Sequence, residues 1–376
     1  MKKKTKKRVE SYFPFPMAYA GFFVSKFFDT FKKVSFYLEK LETRSLSDEI
    51  DKLSIDRPIY ITGLARAGTT IILEMLSKHP DVATHRYKHL LMPYIPHWLS
   101  QIVKKTNYYT KPTERVHKDG ILVTRDSPEA VEEILWLNFF DNLYDENSSH
   151  VLGMNVSHPK FEKFYRNNIL KLMFNERSNR YIAKNNYNVT RMEYLLQLFP
   201  SSKFLLIIRN PVNHIASLIK QTRLFLEMER VKPLLYKWSR VIGHREFGHR
   251  RVCVNVGNTD TIHKIRQLWR IKETYVKGWA YYWSSVYDFV ANLLESNEKI
   301  KNATLLIRYE DLCGEPAKTI DMILGHIELS PEKFEAVKKY YVKNLHQPTY
   351  YSPDFSKQEI ADIAEVTAST AARFGY

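Results

Sequence analysis

Short runs of Ile, Leu, Phe and Tyr recur along this chain, and each is followed by a stretch with helical spacing. Residues 58–62 (PIYIT) are the first compact run, of the kind carried by a strand buried on both faces. After a loop bounded by Gly63 and Gly68, TTIILEMLSKHP reads as a helix stopped by Pro80. A short strand is expected in VATHR, residues 82–86. SPEAVEEILWLNFF, residues 127–140, predicts a helix with Ser127 as its cap and Pro128 at its first position. Beyond Pro159 the pattern gives a helix, a strand in RYIAKN, a helix in TRMEYLLQLFP and a strand over 203–208. PVNHIASLIKQ is again helical, and a last strand is expected at 303–307 before two helices and the terminal ARFGY. Residues 17–52 and 222–298 read as mainly helical. Strands that alternate with helices predict an α/β fold, a parallel sheet flanked by helices. The expected division is a basic tail and helical segment over 1–56 and an α/β domain over 57–376. Within that domain, about 222–298 form a largely helical insertion.

Charge narrows the range of partners. The 376 residues carry 57 Lys and Arg against 41 Asp and Glu, a formal net charge of +16. Between Lys203 and Lys277 there are 16 basic and 5 acidic side chains. An anionic partner is therefore expected. No motif that reads RNA or DNA is visible, so nucleic acid is not expected as that partner. Cys253 and Cys313 are too few and too isolated for a disulfide framework or a structural zinc site, and they suit a reducing, cytoplasmic setting. The basic run KKKTKKR, residues 2–8, precedes the aromatic stretch SYFPFPMAYAGFFVSKFF, residues 11–28. That stretch is too short and broken for a membrane span. Peripheral membrane contact through this N-terminal segment, or packing on the main domain, both remain open.

The chemistry starts at ITGLARAGTT. A strand, a G-x-x-x-x-G loop and a helix start together aim backbone N–H groups at one spot, a cradle for a phosphate-like anion. The sheet is P-loop-like in this respect. A nucleoside triphosphatase would follow the second glycine with Lys, but Gly68 is followed by Thr69 and Thr70, and the loop's cation is Arg66. No strand ends in the apolar run plus Asp expected of a magnesium-holding partner. A second anion signal is FLLIIRNPVNHIASLIKQ. Here Arg209 ends a buried strand and Ser217 lies eight residues on, about two helical turns further. Two such signals imply a ligand with two separate anionic groups.

These two stretches resemble the paired cofactor motifs of sulfotransferases that use 3′-phosphoadenosine 5′-phosphosulfate (PAPS). AKNN, EYLLQLFPSSKF, LLIRYEDLCGEP and the terminal ARFGY add matches to the branch of Golgi-type and bacterial enzymes. The resemblance covers most of residues 57–376. It implies that Arg66, Ala67, Gly68, Thr69 and Thr70 hold the 5′-phosphosulfate, that Arg209 and Ser217 hold the 3′-phosphate, and that no metal is required. It further implies Lys184 as a second cation at the bridging oxygen. The acceptor, a small molecule, glycan or lipid, needs a base. The position matching the family's base falls in HPDVATHRYKHLL, where His85 is the first choice and His89 the next. His117, Glu129 and Glu133 in RVHKDGILVTRDSPEAVEE are competitors, although carboxylates there also suit a helix start. His244 and His249 in GHREFGHRR lack a third ligand at convincing spacing, so no metal site is expected there. That segment, with the aromatics as far as Trp283, reads as acceptor-side cover over the cleft. The competing readings are a P-loop nucleotide kinase and a non-enzymatic binder of nucleic acid or acidic membrane.

Overall fold

The computed structural model describes residues 18–106, 110–348 and 353–376. Its strands are β1 (Ile59–Thr62), β2 (Val82–Ala83), β3 (Thr113–Glu114), β4 (Leu122–Val123), β5 (Arg180–Lys184), β6 (Lys203–Ile208) and β7 (Thr304–Arg308). Among the described residues, five form one sheet in the order β2–β5–β1–β6–β7, every neighbouring pair parallel. β3 and β4 pair as a separate antiparallel hairpin. The continuous apolar runs have their physical reason here. β1 is buried throughout and β6 at all but its first residue, because helices cover both faces.

Successive residues of β6 feed opposite layers, as the pleat requires. Leu205 and Ile207 join Ile61 and Ile182 beneath the helices Thr69–Leu76 and Pro316–Ile327. Leu206 and Ile208 join the layer built by the helices Pro211–Val231, Tyr275–Ser296 and Lys357–Ala372. Tyr60, Tyr181 and Phe204 face the helices Pro159–Glu176 and Met192–Leu198. The register sets Ile61 beside both Lys184 and Leu205, and Ile208 beside Arg308. The carboxyl ends of β1, β5 and β6 therefore open on one edge, where ligands bind in such sheets.

The helices Ala18–Thr30 and Lys32–Ser45 lie ahead of this body. The second is tied in by Phe36, which meets Tyr94, Phe139 and Phe164, and by Glu42, whose carboxylate is 2.9 Å from the fully buried Lys171 amine. The basic run 2–8 and residues 11–17 of the aromatic stretch that follows lie outside the described residues. No helix among the described residues is long and apolar enough to cross a membrane.

The helix expected over 127–140 is shorter, Glu132–Trp136. Ser127 does not cap it. The Ser127 hydroxyl instead accepts from the Thr124 amide at 3.0 Å, closing a turn. The Ser127 carbonyl accepts from the Tyr87 amide, the Glu129 amide donates to the His85 carbonyl, and Arg86 bridges to Pro128. Pairing with the chain at 85–87 thus overrides a good local helix signal. The consequence reaches the site, because the extended segment carries Glu129 to the sheet edge.

Candidate functional site

A cavity of about 310 Å³ opens at the carboxyl ends of the strands, lined by the Gly63–Gly68 loop, the loops after β5 and β6, and segments from farther along the chain. Its floor depends on two glycines. Gly63 has φ +139°, and a Cβ there would lie 2.2 Å from the Ile207 carbonyl oxygen. Gly68 has φ +109°, and its Cβ would strike the Tyr309 ring at 2.4 Å. Arg66 between them also adopts a left-handed backbone, φ 73°, a conformation that a residue with a Cβ holds at a cost and that clusters at ligand sites. The loop is braced from behind. His214 Nε2 donates to the Ala65 carbonyl at 2.8 Å while its Nδ1 accepts from Trp283 Nε1 at 3.2 Å, and burial lowers the imidazole to about 3, so it is neutral. The Tyr287 hydroxyl accepts from the Leu64 amide at 3.3 Å.

Four cations ring the cavity: Arg66, Arg115, Lys184 and Arg209. Arg66 Nε stands 3.4 Å from the Ser217 hydroxyl and its Nη1 is 3.0 Å from Asp119. The two anion motifs therefore meet at one side chain. Ser217 is buried beneath Arg66 rather than in the cavity wall. The Arg209 guanidinium packs 4.9 Å from the centre of the Tyr309 ring, the same ring that closes over Gly68. Thr69 donates to Asn186 Oδ1 at 3.3 Å and Thr70 accepts from Arg115 Nη1 at 3.4 Å. Lys184 forms no ion pair among the described residues. Burial lowers its pKa, with Arg115 and Arg66 adding to the effect and Glu129 and Glu246 opposing it.

Arg115 and Asp119 were not singled out by sequence. They sit on the β3–β4 hairpin, where Asp119 is held by two cations, Arg115 and Arg66. Burial would raise the Asp119 carboxyl, but these guanidiniums hold it far below the usual carboxylate range. Lys118-Asp119-Gly120, with Lys118 and Gly120 at positive φ, is a hairpin-turn signature that could have located the hairpin. Its arrival over the phosphate loop is a tertiary fact.

The candidate bases separate cleanly. His85 is 2% exposed, does not line the cavity, and is lowered to about 3 by burial. His89 is fully enclosed between the Arg86 amide and the Ser100 hydroxyl. Neither position faces the cleft, because the chain at 85–90 turns into a short buried helical turn. Glu133 reaches the wall, but both its oxygens are taken by Arg191, at 2.7 and 2.9 Å, and Asn185 adds a third bond. Glu132 points into the core, where Tyr165 and Tyr181 donate to it and burial raises it to about 7. His117 lines the cavity as a neutral imidazole, lowered well below its ordinary value by burial and then by Arg115. Glu129 also lines it. One of its oxygens accepts from the Ala130 amide at 2.7 Å, and its charge opposes the lowering of the Lys184 pKa by burial.

One flank of the cavity is aromatic. Phe225, Trp238, Phe247, His117 and His244 line it. Phe225 and His244 stack with centroids 5.0 Å apart and planes 4° from parallel. His249 instead turns outward to Glu229, so His244 and His249 do not converge. The segment 222–298 thus divides. Phe225 and Phe247 border the cleft from the same core cluster that holds Trp279, Trp283 and Tyr287, which do not reach it.

A model described as the sulfotransferase family matches residues 58–252, just over half of the chain. Among solved structures, the fold is similar to that of sulfotransferase STF9 from Mycobacterium avium, with a TM-score of 0.52 and 14% identity over 89% of this chain and 81% of that one. Sulfotransferase STF1 from Mycobacterium tuberculosis H37Rv gives a TM-score of 0.45 and 16% identity over the same shares. No curated protein matches the sequence significantly.

Proposed function

The chain belongs to the sulfotransferase family, and on that footing we infer that it transfers a sulfuryl group from PAPS to an acceptor hydroxyl. The observation that supports this reading is that one cation from each anion motif, Arg66 and Arg209, lines the same cavity. A donor with phosphate groups at two positions needs two such grips.

The residues present fit the donor. Gly68 leaves a cradle that a side chain would fill, and the Arg66 backbone is held in a left-handed conformation beside it. Arg66, Thr69 and Thr70 would hold the phosphosulfate and Arg209 the 3′-phosphate, while Ser217 would act only from behind, through Arg66. When bound, the donor supplies an activated sulfuryl group with a phosphate as its leaving group. Arg66 and Lys184 neutralise the charge that grows on the departing oxygen, and a half-desolvated ammonium does so more strongly than one in water. Glu129 takes the proton from the acceptor hydroxyl as that oxygen bonds to sulfur. Glu133 is a positioning residue, fixing Asn185 and Arg191 behind the wall.

Thermal unfolding with adenosine 3′,5′-bisphosphate tests the reading. A ligand at ~100 times its Kd adds about 2.7 kcal/mol of stability, so the wild type should melt several degrees higher. Arg66→Ala and Arg209→Ala should each lose most of that gain. An unchanged melting point in the wild type, or larger stabilisation by ATP with magnesium, defeats it.

A further inference from the structure

The first two helices turn a polar face to the body of the protein and an apolar ridge to solvent. Ser25, Ser35, Glu39 and Glu42 are buried on the inner side, where the Ser25 hydroxyl donates to the Leu90 carbonyl at 3.0 Å. Helix Ala18–Thr30 runs into helix Lys32–Ser45 with a bend at Phe31, whose amide still donates to the Phe27 carbonyl at 2.8 Å. On the outer side stand Phe27, Phe31, Val34, Tyr37 and Leu41, at the three- and four-residue spacing that keeps to one side of a helix. Phe27, Phe31 and Tyr37 are 48%, 50% and 62% exposed. The Phe27 and Phe31 rings touch, with centroids 4.7 Å apart, and so form one patch. An apolar patch left on a protein surface marks a contact site.

Charge selects the partner. Lys33 and Lys40 lie four residues before and three after Tyr37, on the margin of the ridge. From Phe23 to Leu41 the exposed charges are Lys26, Lys32, Lys33, Lys40 and Asp29, because Glu39 is buried. The helix Pro233–Val241 packs against the first helix and adds exposed Lys237 and Arg240. Residues 2–8 hold six more cations. Rings bordered by lysines suit the boundary of a bilayer, where the rings enter the headgroup layer and the ammonium groups meet lipid phosphates. A second copy of the chain would bring the same lysines to both sides of the contact, with only Asp29 to meet them. We propose that the helices Ala18–Thr30 and Lys32–Ser45 dock on an anionic lipid bilayer through this ridge, with the lysines on the lipid phosphates. Docking would hold the cleft near the membrane surface, since Leu90, which accepts the Ser25 bond, and Trp238, on the helix packed against the first, both line the cavity. The surface does not depend on what the cavity binds.

Flotation of the full chain with lipid vesicles tests this. Vesicles of phosphatidylcholine with about one-third phosphatidylglycerol should bind it at least about tenfold more strongly than phosphatidylcholine alone, and about 0.5 M salt should remove most of that gain. Phe27→Ser combined with Phe31→Ser should weaken binding by about tenfold or more, while the melting temperature and its rise with adenosine 3′,5′-bisphosphate stay as in the wild type. Tyr37→Ser, at a more exposed ring, gives a second reading should the double variant fold poorly. Anionic-vesicle binding that survives both ring variants would be the work of the basic run alone and overturns the inference, as does equal binding to the two lipid mixtures. A wild type that ignores vesicles but forms dimers lost in the double variant assigns the ridge to a second copy instead. Ring-dependent vesicle binding in a protein that the bisphosphate does not stabilise would support this inference while sinking the donor reading.

Discussion

The floor of the cleft and its aromatic flank are built by different means. The floor comes from one continuous stretch, Gly63 to Thr70, and from single residues at the ends of the adjoining strands, Lys184 and Arg209. Its shape is a backbone property. Gly63 has no room for a Cβ beside the Ile207 carbonyl, and Gly68 none beside Tyr309. The flank is assembled from the β3–β4 hairpin, the extended segment at 129–133 and rings between Phe225 and Phe247. Its shape is a side-chain property, set by which rings stack. A site of this kind can keep its donor geometry while the flank changes by substitution, since no strand register is disturbed.

The largest expected effect falls on the boundary between the halves. Glu129→Gln should lower kcat by ~10²–10⁴-fold while leaving bisphosphate affinity intact. His85→Gln, in contrast, should alter the melting temperature but not kcat. If His85→Gln abolishes turnover in a folded protein and Glu129→Gln does not, the assignment of the base is wrong.

Next in size is the backbone of the floor. Gly68→Ala introduces left-handed strain of ~1–3 kcal/mol, as well as the conflict with Tyr309. It should erase stabilisation by adenosine 3′,5′-bisphosphate in a protein that still folds. A folded variant that keeps the full stabilisation would show that the glycine cradle does not hold the nucleotide.

The smallest effect is a pH dependence confined to the floor. His214 is held neutral under the loop with its pKa lowered to about 3 by burial, although its bond to Ala65 opposes the shift. The unfolded chain binds a proton near pH ~6.5, so between these values the unfolded state carries more protons. This contribution to stability is complete above ~6.5 and is lost as pH falls towards 3, at about 1.4 kcal/mol per pH unit. Chemical denaturation of wild type and His214→Gln at pH 7 and pH 5 should show the stability gap between them shifting against the wild type at pH 5. A gap that does not move with pH would remove His214 as the brace.

Legibility in the sequence follows the same divide. β6 was expected at 203–208 and stands there, because an apolar run buried on both faces admits few other conformations. The loop glycines, Arg66 and Arg209 stand out in the chain at strand ends, whereas Lys184 was expected only through the family resemblance; Arg66, Lys184 and Arg209 all line the cavity. His85, the expected base, lies buried away from the cavity for a reason local patterns do not contain. Pairing of 85–87 with 127–129 buries the histidine and presents the glutamate two residues beyond Ser127 instead.

The sequence by itself determined the parallel sheet, the glycine-framed anion loop and the cationic strand ends, since each depends on periodicity or on a backbone conformation that few residues permit. Only the tertiary structure decided that Arg115 and Asp119 arrive over that loop, that Glu129 lines the same cavity as Lys184, and that Phe225, Phe247, His117 and His244 pack together. Those groups lie as far apart as 117 and 247 in the chain, and no short-range rule of spacing constrains packing between segments so distant.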